Sequence, residues 1–253
     1  MKMTVKQETI FTYSGLSVGL ILCLLVIFGM ILTGCAHENV YGSGRVITEE
    51  RPVDRFDEVT IEGPVEIHIK QGQQLPLKVE AEDNVMRIIE THVNGTTLRV
   101  KIRNGVNLKR YRPIHVYLQS ETYKKITFSG SGSLTGPDTI RTSSFTYEIN
   151  GSADADLKLD ANEVRTYING SGNLRLEGKS NACFSEINGS GDLHAPDLMT
   201  STADIHIDGS GSQTIWVTDR LDARISGSGN IRYKGSPGTV NTRIAGSGKV
   251  IKL

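Results

Sequence analysis

The residues of this chain that could do chemistry are three histidines, a spaced trio of aspartates, a glycine run and one tryptophan. His68, His92 and His115 could ligate a metal only if they converged with carboxylates. They fall in different strands or turns and read as exposed positions on half-buried strands. Asp154, Asp156 and Asp160 have the side chains a calcium ion prefers. Calcium-binding repeats carry an aspartate in every coil; these do not recur, so they read as an outward, solvated strand face. The run Gly130-Ser-Gly-Ser-Leu-Thr-Gly136 has the composition of a phosphate-binding loop, which works when a helix follows and turns its free amides to the phosphate. A strand pattern follows here. No set of Asp, Glu, Lys and His assembles into an acid–base pair. The reading is of a protein without catalytic residues, cofactor or metal. Trp216 is the only tryptophan. If Ile215 and Val217 point inward, Trp216 faces out as a possible surface contact; a slipped phase would pack it over a coil edge.

One further reactive side chain is set apart by its place. Lys2 and Lys6 precede an apolar run from Leu16 to Leu32, which ends in Leu32-Thr33-Gly34-Cys35. A basic start, an apolar middle and small residues before a cut describe an export signal over residues 1–34. The Leu-x-Gly-Cys ending resembles the lipobox of bacterial lipoproteins. That resemblance implies diacylation of the Cys35 thiol and its conversion to residue one of the mature chain. The other reading is a signal anchor retained as a membrane helix. Each buried methylene of an acyl chain contributes roughly 0.8 kcal/mol, so two or three chains hold a protein on a bilayer. Ala36, where an aspartate would direct retention in the inner membrane of enteric-type bacteria, points to the outer membrane. Residues 35–44 would be a lipidated tether. Cys23 belongs to the signal, which leaves Cys183 alone and no internal disulfide.

The elements that must carry these side chains repeat. Gly-Ser-Gly begins at Gly130, Gly170, Gly189, Gly209, Gly227 and Gly246, with Gly151-Ser-Ala filling the gap. The steps are 21, 19, 19, 20, 18 and 19 residues, the mark of a stacked solenoid. Two residues before each first glycine stands Phe128, Ile149, Ile168, Ile187, Ile207, Ile225 or Ile244. Each unit reads as strand, glycine corner, strand and looser turn. The isoleucines would stack in one inward file. The corner serines, and Asn150, Asn169 and Asn188, would form ladders. The rival is an array of hairpins, since Asn-Gly between alternating strands favours a hairpin. Like residues recurring at one phase favour a β-helix of about seven coils over residues 126–253.

Residues 45–125 alternate with period two, as at Val65-Glu-Ile-His-Ile69, without the repeat. Residues 83–91 read as one short helix capped by Asp83. Residues 45–253 would form one continuous all-β domain. Gly42-Ser43-Gly44-Arg45-Val46 looks like a stray eighth copy that adds a strand at one end of the stack. Lysine and arginine number 28, as do aspartate and glutamate, so charge gives no case for nucleic acid.

The stretches at 42–53, 56–57, 63–67 and 84–91, followed by the Ile-Asn-Gly-Ser-Gly copies, resemble the putative auto-transporter adhesin family with the head GIN domain. The resemblance implies an exported, all-β, solenoid-like protein, and it carries over no catalytic or binding residues. The expected protein is a lipoprotein held on the envelope membrane through Cys35. Its rigid β-solenoid presents a surface to an unknown protein or glycan. The alternative is a homo-oligomer stacked end to end. A β-helical enzyme acting on polysaccharide lacks its residues.

Overall fold

The computed structural model describes residues 38–253. Cys23, Cys35, Ala36, the export signal and the start of the tether lie outside the described residues. The chain divides into two units, Met1–Glu38 and Asn39–Leu253.

The strands are β1 (Glu38–Tyr41), β2 (Val46–Arg51), β3 (Glu58–Glu62), β4 (Val65–Gln71), β5 (Leu77–Glu82), β6 (Ile89–Asn94), β7 (Thr97–Ile102), β8 (Val106–Lys109), β9 (His115–Ser120) and β10 (Lys125–Gly130). The one helix among the described residues, α1 (Asp83–Met86), falls between β5 and β6. Long, bent strands then follow: β11 (Gly132–Gly151), β12 (Asp154–Gly170), β13 (Asn173–Gly189), β14 (Asp192–Gly209) and β15 (Ser212–Gly227). The short β16 (Asn230–Lys234), β17 (Thr239–Gly246) and β18 (Lys249–Lys252) finish the chain.

Successive long strands pair in parallel, one coil apart, so the repeat is a β-solenoid and not an array of hairpins. The predicted file exists. Phe128, Ile149, Ile168, Ile187, Ile207 and Ile225 are register partners and no more than 2% exposed. Ile244 continues the register but is 45% exposed, because β17 pairs with β15 on one side only. The inward expectation therefore fails at that last position.

The corner requires glycine at the first position of the tripeptide, and at the third in every Gly-Ser-Gly copy, Ala153 being the one exception. Gly170 has φ +131°, and a Cβ there would stand 2.3 Å from the Gly151 carbonyl oxygen. At Gly191 a Cβ would meet the Gly172 carbonyl at 2.3 Å and the Ile168 methyl at 2.6 Å. Between them the serine N–H donates to the first glycine's carbonyl one coil below, as Ser171 does to Gly151 at 2.9 Å. The asparagine ladder forms: Asn169 Nδ2 donates to Asn150 Oδ1 at 2.9 Å, and Asn188 to Asn169 at 3.1 Å. Between serine hydroxyls, Ser247 and Ser228 meet at 3.1 Å.

The N-terminal strands are not a separate layer but the first turns of the same solenoid. Phe128 pairs with Ile61, and Ile61 with Val100, extending the inward file by two residues. Gly63, with φ +118°, takes the corner position between β3 and β4 and donates to the Ser129 carbonyl at 3.0 Å. Proline follows it, which is why the repeat is invisible there in sequence.

Two expectations are corrected in this region. The helix over 83–91 shrinks to α1: Ile89 instead enters β6, paired with Ile102. Asp83 is not the cap: the cap position is Glu82, without a side-chain capping bond, and the Asp83 carboxylate instead accepts from the Asn84 N–H at 2.8 Å and from the Arg45 side chain. Residues 42–46 form no eighth coil. β2 runs antiparallel to β5, placing a reversed strand at the N-terminal edge of one face. A Gly42 Cβ would collide with the Glu82 carboxylate, and the Arg45 guanidinium holds Asp83 with its Nη2 at 2.6 Å.

Cys183 packs in the coil interior between Val164 and Ala203, and burial pushes its thiol up to about 12. Among the described residues, no helix is long and apolar enough to cross a membrane.

Candidate functional surface

The strands after the corners, extended at the N-terminal edge by β9, β5 and β2, form one face ordered β2, β5, β9, β4, β11, β12, β13, β14, β15, β16, β18. Its inward side chains fill the core, so its outward ones compose an exposed row at each alternate position. One row reads Tyr117, His68, Thr135, Asp156, Arg175, His194, Thr214, Arg232, Ile251, each a register partner of the next. At about 4.8 Å per strand the row is roughly 38 Å long. Beside it run Glu66, Ser133 and Asp154, then Asn173, Asp192, Ser212 and Asn230.

Trp216 belongs to this face. Ile215 and Val217 are fully buried and Trp216 is 37% exposed, so the outward phase is the observed one. Met199, its register partner, is exposed as well, and the two give the face a small apolar patch. On the other side the indole lies against Gly235, where a Cβ would come within 3.0 Å of it. The register between β14 and β15 shifts between Ala195 and Met199 and again between Thr200 and Thr202, while Gln213 stays in step. It takes the buried slot that Leu193 fills one coil earlier, and its amide donates to the His206 carbonyl at 3.0 Å.

At the N-terminal end the face holds an aromatic and charged cluster. The His68 ring stacks on Tyr117, with centroids 4.8 Å apart at 20°, and on His115, at 5.6 Å. The Lys78 ammonium lies 4.5 Å above the Tyr117 ring and pairs with Glu80 at 2.6 Å. Burial, and then the charge of His115, holds His68 below the usual histidine range, against the pull of Glu66 and Glu80. The cluster opens onto a groove of about 880 Å³ lined by Lys70, Leu75, Pro76, Pro137 and Lys158 among others. A shallower trough of about 530 Å³ continues down the face past Arg175 and His194. Thr135 and Asp156 line both, so groove and trough are continuous.

The histidine expectation is corrected in part. His68 and His115 do converge, with Glu66, although they stand 47 residues apart; this is the only such group of metal-ligating side chains among the described residues. His92 stays away, paired with Arg99 at the far edge of the other face. Sequence reasoning read each histidine's outward phase but had no signal that β4 and β9 are neighbours. The three aspartates do not converge. Asp154 accepts from Asn173 at 2.9 Å, Asp156 faces Arg175 at 4.0 Å and Asp160 pairs with Lys179 at 3.4 Å. Gly130-Ser-Gly turns into strand β11, as expected.

A family described as "putative auto-transporter adhesin, head GIN domain" matches residues 55–237, most of the chain. The chain belongs to that family. The match is narrower at both ends than the resemblance read over 42–253. Solved structures similar to this head GIN chain include a putative adhesin from Bacteroides fragilis, at 22% identity and a TM-score of 0.79, covering 85% of this chain and 100% of that one. A putative lipid binding protein from Parabacteroides distasonis has 23% identity and a TM-score of 0.72, with the same coverage. A putative adhesin from Parabacteroides merdae has 24% identity and a TM-score of 0.68, covering 85% of this chain and 99% of that one. At these identities they establish the shared solenoid fold. No curated protein matches the chain in sequence. Family membership supports adhesion as the type of role, at the cell surface or in an exported form.

Proposed function

We propose that the chain is an envelope lipoprotein, tethered through acyl chains on Cys35, whose solenoid presents the outward face from Tyr117 to Trp216 to a protein or glycan, without catalysis. The observation that carries this reading is the continuity of that face. One sheet carries stacked aromatics, a groove lined by charges of both signs and an exposed tryptophan on the same face, and such features bind by shape and stacking. The lipid-anchor reading rests on the Leu-x-Gly-Cys motif, and Ala36, where an aspartate would direct inner-membrane retention, favours the outer membrane. Of the expected tether over 35–44, residues 41–44 bond to the domain, Tyr41 through Asn84, Gly42 through Lys109, Ser43 through Asp83 and Gly44 through Glu82. A free tether would therefore be shorter than 35–44, with 45–125 and 126–253 continuous beyond it.

Two experiments test the halves separately. Cells fed labelled palmitate should label the wild-type chain and not Cys35→Ser; equal labelling of both would end the anchor reading. Wild-type protein and Trp216→Ala should be compared on glycan and extracellular-matrix arrays. Weakened binding with an unchanged melting temperature supports the presenting face. Binding unaffected by Trp216→Ala removes that residue from it.

A second reading is assembly by end-to-end stacking. It is favoured by β17 and β18, whose outer edges are unpaired among the described residues and carry exposed Val240, Ile244 and Ile251. Sedimentation over a range of concentrations separates it from the first. A mass that stays constant rules it out.

A further inference from the structure

We infer that Glu66, His68 and His115 form a binding site for a late first-row divalent cation, of which Zn2+ is the fitting member. All three side chains project from the outward side of β4 and β9, where Glu66 is the register partner of His115. Their ligand atoms lie within 4.8 Å of one another. His68 Nε2 is 3.4 Å from His115 Nδ1, and that nitrogen is 3.3 Å from Glu66 Oε2. Two atoms each bonded at 2.0–2.1 Å to a tetrahedral zinc stand about 3.3–3.4 Å apart. Two of the three ligand pairs therefore already have the spacing of a coordination shell, and the third lies within 4.8 Å.

The supporting contacts point the same way. His68 Nδ1 is 2.9 Å from Thr135 Oγ1. The Thr135 hydroxyl has the Ile67 carbonyl as its own acceptor at 3.5 Å, so its oxygen accepts the Nδ1 hydrogen. That tautomer leaves the Nε2 lone pair facing His115 and Glu66, the arrangement by which a neighbouring group orients a metal-bound imidazole. The nearby cation Lys78 is occupied by Glu80 and the Tyr117 ring. Two imidazoles and one carboxylate suit zinc and its neighbours better than calcium or magnesium, which prefer oxygen throughout. Three protein ligands leave a fourth position for water or an oxygen donor from outside. His68 also lines the groove, so that position would be set beside it.

The test is equilibrium dialysis of the full chain, kept in detergent, against Zn2+ alone, with Co2+ as the spectroscopic substitute. The wild type should retain one zinc per chain and give the visible absorption of tetrahedral cobalt. His68→Gln and His115→Gln should each lower affinity by more than about 100-fold, and Thr135→Val by about 10-fold with stoichiometry kept. His92→Gln should change nothing. All three ligands are half-exposed, so these variants should keep the wild-type melt in the absence of metal; if a histidine variant does not, the isosteric Glu66→Gln replaces it and should bind at least about 10-fold more weakly. No zinc retained by the wild type, or full retention by the His68→Gln/His115→Gln double variant, overturns the site.

Discussion

The Gly-Ser-Gly coils and the turns before them build the same solenoid by opposite means. From β11 onward each coil pairs with the next at a nearly fixed step, and like residues stack on like. In the earlier turns, strands distant in sequence are brought together: β3 with β7, and β4 with β9. Those turns also close their end with antiparallel strands, β2 on β5 and β6 on β7, whereas β17 and β18 have no outer partner among the described residues. Repetition gives a regular face of modest chemical variety. The irregular turns assemble unlike side chains, and there the two histidines, the glutamate and the stacked tyrosine meet.

The largest expected contrast lies in the glycines. Gly189→Val must place a Cβ 2.3 Å from the Gly170 carbonyl at φ +135°, and should cost about 4 kcal/mol or more, enough to prevent folding. Gly44, at φ +83° with nothing within 4 Å, should accept alanine for about 1–2 kcal/mol of backbone strain. Denaturant unfolding of the two variants measures the difference. Similar losses would mean the corner is not close-packed.

Next in size is the contrast within the inward file. Ile187→Ala should cost about 2–5 kcal/mol, because it opens a cavity between fully buried neighbours. Ile244→Ala, already 45% exposed, should cost under about 1 kcal/mol. A large loss at Ile244 would show that something covers the last coil in solution, which would favour end-to-end assembly.

The smallest effect concerns the N-terminal closure. The Ser43 hydroxyl, and then the Arg45 guanidinium, hold the Asp83 carboxyl below the usual aspartate range. Its contribution is therefore complete above the unfolded value of about 3.9 and is lost as pH falls through the lower folded value. Melting temperatures of wild type and Asp83→Asn should differ slightly at pH 7 and converge in that acid window. A gap that persists at the lowest pH would contradict this linkage.

The same contrast explains what could be read from the chain. The isoleucine spacing revealed coil length and phase, because a stacked repeat writes its register into the sequence; at Trp216 it left an outward and a slipped phase open, and the burial of Ile215 and Val217 decides for the outward one. Gly63 hid its corner behind Pro64, so the earlier turns read as strands of no known order. Glu66 and His68 were legible as outward, and so was His115. Their meeting depends on pairing across the whole of β5 to β8, and period-two alternation carries no information on which strand lies next to which. Ile89 illustrates the opposite error: an apolar run after Asp83 suits a helix, and pairing with β7 overrode it.

The central claim is that the early turns share one register with the Gly-Ser-Gly coils, so that a single face joins the histidine cluster to Trp216. Glu66 and Ser133 are outward register partners across that junction, while Thr135 is two residues out of step with Glu66. Neighbouring strands at about 4.8 Å fall within disulfide range. Mild oxidation of Glu66→Cys/Ser133→Cys should therefore form an intramolecular disulfide rapidly, and Glu66→Cys/Thr135→Cys should not. Equal crosslinking of the two pairs, or none in the first, would contradict the shared register and the continuous face with it.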